Sequence, residues 1–377
     1  MNAKSININD YVMYSDMDDD GLYKEGTGML WCCSSKKLKN IYHLVYDPAT
    51  LIKAQYKAQK NKGDRNYIRD FNRNIIDRLQ ELWEMLYYQT YKSGEYEIKK
   101  IFEPKERNIM IAPFFPDRIV HHCIIDVLGR HWDSIFITNT YACIKNRGIH
   151  KCMDDIHKAL TNDRKGTEYC LKLDVHKFYD NVNHSVLKSI LRKTISDKQM
   201  LWLLDTIVDS NNSDVGLPIG NYTSQYFANI YLSYFDHFAK EELRIKYYFR
   251  YMDDIVVLSG DKNELHKILD AFALYLATEL KLEIKSNWQI FPVDARSIDY
   301  VGYKQNHYGI LLRKSILQRF YKKWNKLKDL HRIKSIDDFK HLFPSEYGWL
   351  LRCSEEHREF ILKKCISYET KFNYGSA

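Results

Sequence analysis

Residues 247–259 constrain the fold more than any other stretch of the chain. Tyr247, Tyr248, Phe249 and Tyr251 precede, and Ile255, Val256, Val257 and Leu258 follow, the adjacent acids Asp253 and Asp254. Aromatic and β-branched runs of this length predict two strands of a hairpin, with the acids at or beside its turn. Neighbouring carboxylates repel, so the pair is solvated, protonated or shared by a cation. A hard divalent ion prefers oxygen ligands, and Mg²⁺ typically takes one or two carboxylates plus substrate phosphates. Taken alone, an acid pair at a turn is most often merely solvated.

A third acid lies upstream. Glu168 to Asp174 reads as a strand ending in a carboxylate, followed by a turn and a helix start near Asn183. By itself Asp174 could simply cap the next element. If its strand shares a sheet with the hairpin, Asp174 joins Asp253 and Asp254. Three carboxylates could then hold two Mg²⁺ ions roughly 3.5–4 Å apart, the arrangement used for in-line displacement at phosphorus.

Leu173-Asp174-Val175 with Phe178-Tyr179, and Tyr251-Met252-Asp253-Asp254, resemble the two catalytic motifs of reverse transcriptases. Further likenesses follow in chain order over residues 100–305. Lys105-Glu106-Arg107 is similar to the basic motif that holds the incoming triphosphate. Gly216-Leu217-Pro218-Ile219-Gly220, leading into Ser224-Gln225, resembles the nucleotide-pocket motif, and Ile298 to Tyr303 a primer-grip hairpin. The resemblance implies metal binding at Asp174, Val175, Asp253 and Asp254. It implies nucleotide contacts at Lys105, Arg107, Val175, Tyr179, Ile219, Gly220, Gln225 and Lys285.

The residue chemistry is compatible with these roles and with plainer ones. Arg107 can fork across two phosphate oxygens while Lys105 acts as a point charge; either could be a solvated loop charge. Tyr179 has the bulk to exclude a ribose 2′-hydroxyl, or to pack a core. Gly220 permits close backbone approach, or a turn. Lys285 could protonate or neutralise a leaving pyrophosphate, or answer a helix dipole.

Ile219 stands where many family members carry Gln, and Gln225 where they carry Pro. With Ala112-Pro113-Phe114, Asp117 to His122, Thr140-Tyr141-Ala142, Arg147 to His150 and Phe291 to Arg296, this pattern resembles the enzymes of diversity-generating retroelements. Those enzymes copy a template-repeat RNA into cDNA with errors opposite adenines. The resemblance implies template RNA, a DNA or RNA primer, dNTPs and an accessory RNA-binding protein oligomer. Ile offers shape where Gln would offer hydrogen bonds, which predicts relaxed base selection at Ile219 unless that residue only packs beneath the pocket. Two other readings are a phage-defence or retron-like reverse transcriptase making cDNA from a dedicated non-coding RNA, and a maturase-like RNA-binding scaffold. The intact acids argue against the scaffold.

The expected fold is α+β: a right-hand polymerase with fingers, a palm of antiparallel sheet with helices on one face, and a helical thumb. The boundaries read as an N-terminal extension 1–60, fingers 61–165, palm 166–310 and thumb 311–377. Helices are expected over 38–60, 67–91, 117–131, 183–193, 222–243 and 264–280, and a strand pair over 98–112. The net charge of +8 is concentrated at the end, where residues 313–377 hold 15 Lys/Arg against 8 Asp/Glu. There Ile316, Phe320, Trp324 and Leu327 form one helical face. Arg319, Lys322, Lys323 and Lys326 lie mostly away from it and suit a nucleic-acid backbone or a solvated face.

No stretch approaches the roughly 18 apolar residues that span a bilayer. The first residues lack the apolar core of a signal peptide. The scattered cysteines argue for a reducing cytoplasm rather than a disulfide framework or zinc site, with no membrane partner. The acidic run Asp16 to Asp20 reads as a mobile segment. No nuclease or integrase module fits the remaining length, so priming and insertion are expected from other proteins.

Overall fold

The computed structural model describes residues 37–102, 106–329 and 336–370. The acidic run Asp16 to Asp20 and Lys105 lie outside the described residues. The chain forms two compact units, each discontinuous in sequence.

The first unit takes in the described parts of Met1–Phe136, Lys177–Tyr234 and Ala277–Leu282. Its helices begin where the sequence supplies caps. Asp47 accepts from the Thr50 N–H at 3.1 Å ahead of Pro48–Gln59, with Pro48 in the first turn where its missing N–H costs nothing. Asn183 does the same for His184–Thr194 through the Val186 N–H. Asp197 caps Lys198–Val208 and also accepts from the Ile41 and Tyr42 N–H groups, fixing the first described residues to this unit.

The single long helix expected over 67–91 is two, Asn66–Arg73 and Ile75–Tyr87. Asn74 breaks it at φ −125°, ψ 38°. The apolar period survives the break, with Ile68, Phe71, Leu79, Leu82 and Leu86 all buried, so packing is kept although the backbone ladder is interrupted. Strands β1 (Glu97–Ile101) and β2 (Arg107–Ile111) form the expected antiparallel pair. The helix Ile119–Ile135 follows, burying Ile119, Cys123, Ile124, Leu128 and Trp132.

The second unit takes in Ile137–His176, Phe235–Leu276 and the described part of Glu283–Ala377. Its four-stranded antiparallel sheet has the order β4-β5-β3-β6, with β3 Tyr169–Asp174, β4 Tyr247–Tyr251, β5 Asp254–Ser259 and β6 Gln289–Pro292. β5 is buried along nearly its whole length, as its unbroken apolar run demands. Helix Ile149–Asn162 contributes Cys152, Ile156 and Leu160 to the core beneath Phe249, Val256 and Leu258.

A second sheet joins β7 (Ile298–Tyr300), β8 (Tyr303–Asn306) and β9 (Gly309–Leu312). Its buried Tyr303, Ile310 and Leu312 share a core with Phe320 and Trp324 of Lys314–Asp329, and with residues of Pro344–Leu350 and Glu355–Thr370. Gly302, at φ 92°, could not carry a side chain: a Cβ there would lie 2.6 Å from the Trp349 ring. The α+β expectation thus describes the molecule. Among the described residues no helix is long and apolar enough to cross a membrane.

Candidate active site

The acids come together in the second unit because two strands end at the same level. β3 pairs antiparallel with β5 in a register that sets Asp174 opposite Asp254. β4 and β5 are joined by a two-residue turn, Met252-Asp253, across the pair Tyr251↔Asp254. Met252 adopts the left-handed conformation at φ 55°, which a tight hairpin turn requires. The Val175 N–H donates to the Asp253 carbonyl at 3.3 Å, so the turn folds over the end of β3.

The electrostatics follow from this crowding. Burial, then the Asp174 charge, then the Asp254 charge push the Asp253 carboxyl up to about 7. A side-chain hydrogen bond between Asp253 and Asp174 favours the same protonated form. Burial also raises Asp254, against the attraction of Lys172, Arg313 and Lys285. Among the described residues no three His, Cys, Asp or Glu side chains are disposed, as they stand, to hold a metal ion. The donor set is nevertheless all carboxylate oxygen, repulsive and partly open, which fits a hard divalent cation.

Lys285 also belongs to this cluster. Its N–H donates to the Asp174 carbonyl at 2.9 Å, and the His176 N–H donates to the Glu283 carbonyl at 2.8 Å, so 283–285 runs antiparallel to 174–176. Val175 is buried there, at 1% exposure, leaving only its backbone to offer a ligand.

The support behind the hairpin is not apparent from the motifs. Arg250 and Asp236 form an ion pair with neither side chain exposed, at 2.6 Å from Nε and 2.5 Å from Nη2. Tyr248 and Thr140 donate to the same carboxylate at 2.7 and 2.9 Å. Arg250 Nη1 donates to the Met252 carbonyl at 2.8 Å, gripping the acid turn itself. Tyr300 Oη donates to the Asp254 carbonyl at 2.6 Å from β7. An arginine inside an otherwise aromatic strand, Tyr-Tyr-Phe-Arg-Tyr, is the signal that could have revealed the network, because a buried guanidinium demands a partner.

Arg107, Tyr179, Ile219, Gly220 and Gln225 lie in the first unit. The Met110 N–H donates to the Ile219 carbonyl at 2.8 Å, tying the glycine loop to β2. Gly220, at φ 130°, lies so close to β2 that a Cβ would sit 2.6 Å from the Met110 carbonyl oxygen. The Leu217 N–H donates to the Tyr179 carbonyl at 2.8 Å, joining that residue to the same loop. Arg107 opens β2 and is exposed, and Gln225 is exposed on the helix Tyr222–His237.

Of the basic residues near the C-terminus, Arg319, Lys322 and Lys326 are exposed. Lys323 is engaged within the protein, paired with Glu346 and seated 3.9 Å above the Phe343 ring. The Leu327 side chain lies outside the described residues.

Residues 98–305 match the family described as reverse transcriptase (RNA-dependent DNA polymerase). Protein YkfC of Escherichia coli (strain K12) is 23% identical over 224 residues, 55% of this chain and 58% of YkfC. The retron Ec73 reverse transcriptase of Escherichia coli is 28% identical over 193 residues, 47% of this chain and 58% of that protein. Each match takes in less than two thirds of the relative's length. Apo telomerase from Candida tropicalis, truncated from its C-terminal domain, aligns with a TM-score of 0.45 at 14% identity, over 62% of this chain and 60% of that one. With more than half of its 377 residues matched in this way, the chain belongs to the reverse transcriptase family.

Proposed function

We propose that the protein is an RNA-directed DNA polymerase that joins a primer 3′-hydroxyl to the α-phosphate of an incoming dNTP. The observation that carries this is the register placing Asp174 opposite Asp254, with Asp253 on the turn between β4 and β5. Asp174, Asp253, Asp254 and the Val175 backbone would hold two Mg²⁺ ions. Such ions, when bound, make the attacking hydroxyl more acidic and steady the leaving oxygens.

The remaining roles belong to the chain's own side chains. Lys285 neutralises charge, or supplies a proton, at the leaving pyrophosphate. Arg107 forks on phosphate oxygens, and Lys105 acts as a point charge. Tyr179 excludes the 2′-hydroxyl, while Ile219, Gly220 and Gln225 shape the nucleotide pocket. We assign fingers to 61–165, palm to 166–310 and thumb to 311–377. The exposed Arg319, Lys322 and Lys326 would meet the nucleic-acid backbone, whereas Lys323 serves the thumb's own packing.

Primer extension on an RNA template with Mg²⁺ tests the assignment. The parent should extend and Asp253→Ala should not; no extension by the parent under any divalent cation would refute it.

Within this activity we favour a retroelement that copies a template-repeat RNA with errors at adenines, with an accessory RNA-binding oligomer. Ile219 and Ser224-Gln225 support that branch. Losing a hydrogen bond worth about 1 kcal/mol would lower discrimination by roughly fivefold. Ile219→Gln should therefore reduce misincorporation opposite adenine, read by sequencing the products; an unchanged error rate refutes the role. The likeness to the retron Ec73 enzyme favours a second reading, cDNA synthesis from a dedicated non-coding RNA. Sequencing cDNA recovered with the protein from cells separates the two.

A further inference from the structure

The strand pair β1 and β2 has one closed edge and one open edge. On the β2 side the Met110 N–H donates to the Ile219 carbonyl at 2.8 Å, so the glycine loop covers that edge. Among the described residues nothing pairs with the backbone of β1 except β2. Glu97 to Lys100 are exposed along the open edge. Ile98 is 64% exposed, and Phe102, just beyond the strand, is 70% exposed. Unmatched N–H and C=O groups beside bare apolar side chains make a template for a further strand.

The charges of β1 say which strand fits. Lys100 is already paired with Glu106 at 3.1 Å. Glu97 and Lys99, alternate residues on one face, form no ion pair with another described residue. Two copies of β1 related by a two-fold axis pair antiparallel, and the axis keeps each side chain on its own face. The pairing therefore centres on a single residue that meets itself. Centred on Glu97, Lys99 or Lys100, it sets like charges opposite each other, which destabilises a sheet. β1 ends at Ile101, so a centre there leaves most of the strand unpaired. Centred on Ile98, it sets Ile98 against Ile98 and, on both sides of the axis, Glu97 against Lys99. Each copy then supplies both halves of two ion pairs, and the apolar side chain between them is covered.

We infer that the free edge of β1 is the docking site for β1 of a second copy of this chain, about a two-fold axis at Ile98. The product is a four-stranded antiparallel sheet in the order β2-β1-β1-β2. Five residues a side fall short of the roughly 1,000 Å² expected of a stable interface, so the dimer forms only at high protein concentration. The inference goes beyond the polymerase reading and does not rest on it.

Sedimentation velocity of the nuclease-treated full chain over a concentration series tests it. The parent should pass from monomer to dimer. Glu97→Lys sets lysine against Lys99, and Lys99→Glu sets glutamate against Glu97. Each should weaken the dimer at least about tenfold. An equimolar mixture of the two variants should associate about as tightly as the parent, because every facing pair is again opposite in charge. Exchange of both residues in one chain, Glu97→Lys with Lys99→Glu, should do the same. Both positions are exposed, so the variants should melt with the parent. A parent that stays monomeric throughout overturns the inference, as does a dimer untouched by the single variants or not recovered in their mixture. Self-association that vanishes on nuclease treatment would mean that RNA bridges the copies, and overturns it too. A failed primer extension would refute the polymerase assignment and leave this result standing.

Discussion

Replacing Asp253 with Asn should make the metal-free protein more stable while destroying its activity. The folded chain holds the Asp253 proton up to about pH 7, whereas an ordinary carboxyl loses it near 3.8. Between those values the folded state binds more protons than the unfolded one, so this residue's contribution to stability falls as pH rises. Above pH 7 the ionised carboxylate is held beside Asp174 and Asp254 at a cost of at most about 4 kcal/mol. The turn is only half-buried, and solvent screening reduces that cost to about 1–2 kcal/mol. Asn keeps the shape and one hydrogen bond without the charge. Asp253→Asn should therefore melt roughly 2–6 °C above the parent at pH 7.5 in EDTA. The gap should close near pH 4, where the parent carboxyl is also neutral. Added Mg²⁺ should raise the parent's melting temperature and not the variant's. Differential scanning calorimetry across pH reads all three effects. A variant that melts at or below the parent at pH 7.5 would refute the electrostatic reasoning.

Other expectations follow from neighbouring features. Arg250→Met leaves Asp236 as an unpaired buried anion and should cost about 3–5 kcal/mol, read by denaturant unfolding, whereas Arg250→Met with Asp236→Leu should recover much of it. If the single variant stays within 1 kcal/mol of the parent, the pair is not holding the turn. Gly220→Ala drives a methyl into the Met110 carbonyl oxygen and should lower kcat/KM for nucleotide addition at least tenfold, with Asp253 chemistry intact in a metal-binding titration. Removing Arg319, Lys322 and Lys326 together should reduce the slope of log affinity for RNA against log salt by about 2–3, while Lys323→Ala should chiefly lower the melting temperature.

The acid hairpin was legible because its two faces are written in residue type. Short aromatic and β-branched runs flank a polar pair, and their length and residue type point to strands rather than to a helix. The strand bearing Asp174 was legible for the same reason. The boundary was not: Asp254 is the first residue of β5 rather than part of the turn, a one-residue matter that register decides and composition does not. The split at Asn74 was hidden because a helix pattern continues through it. The third strand of the smaller sheet, Gly309–Leu312, was missed because four residues carry too little period to register. Arg250 and Asp236 lie 14 residues apart, and only tertiary folding brings the charges into one buried contact.

Tyr300 gives the second unit a mechanical property that its acids alone would lack. Its hydroxyl fastens the backbone of Asp254 to β7, β7 turns through Gly302 against Trp349, and Trp349 stacks on Tyr303 at 5.1 Å. Strain imposed on the C-terminal helices thus has a short, stiff route to the acid hairpin, made of rings and strands rather than loops. A load borne by those helices would therefore reach the peptide that carries Asp254 without passing through a loose segment.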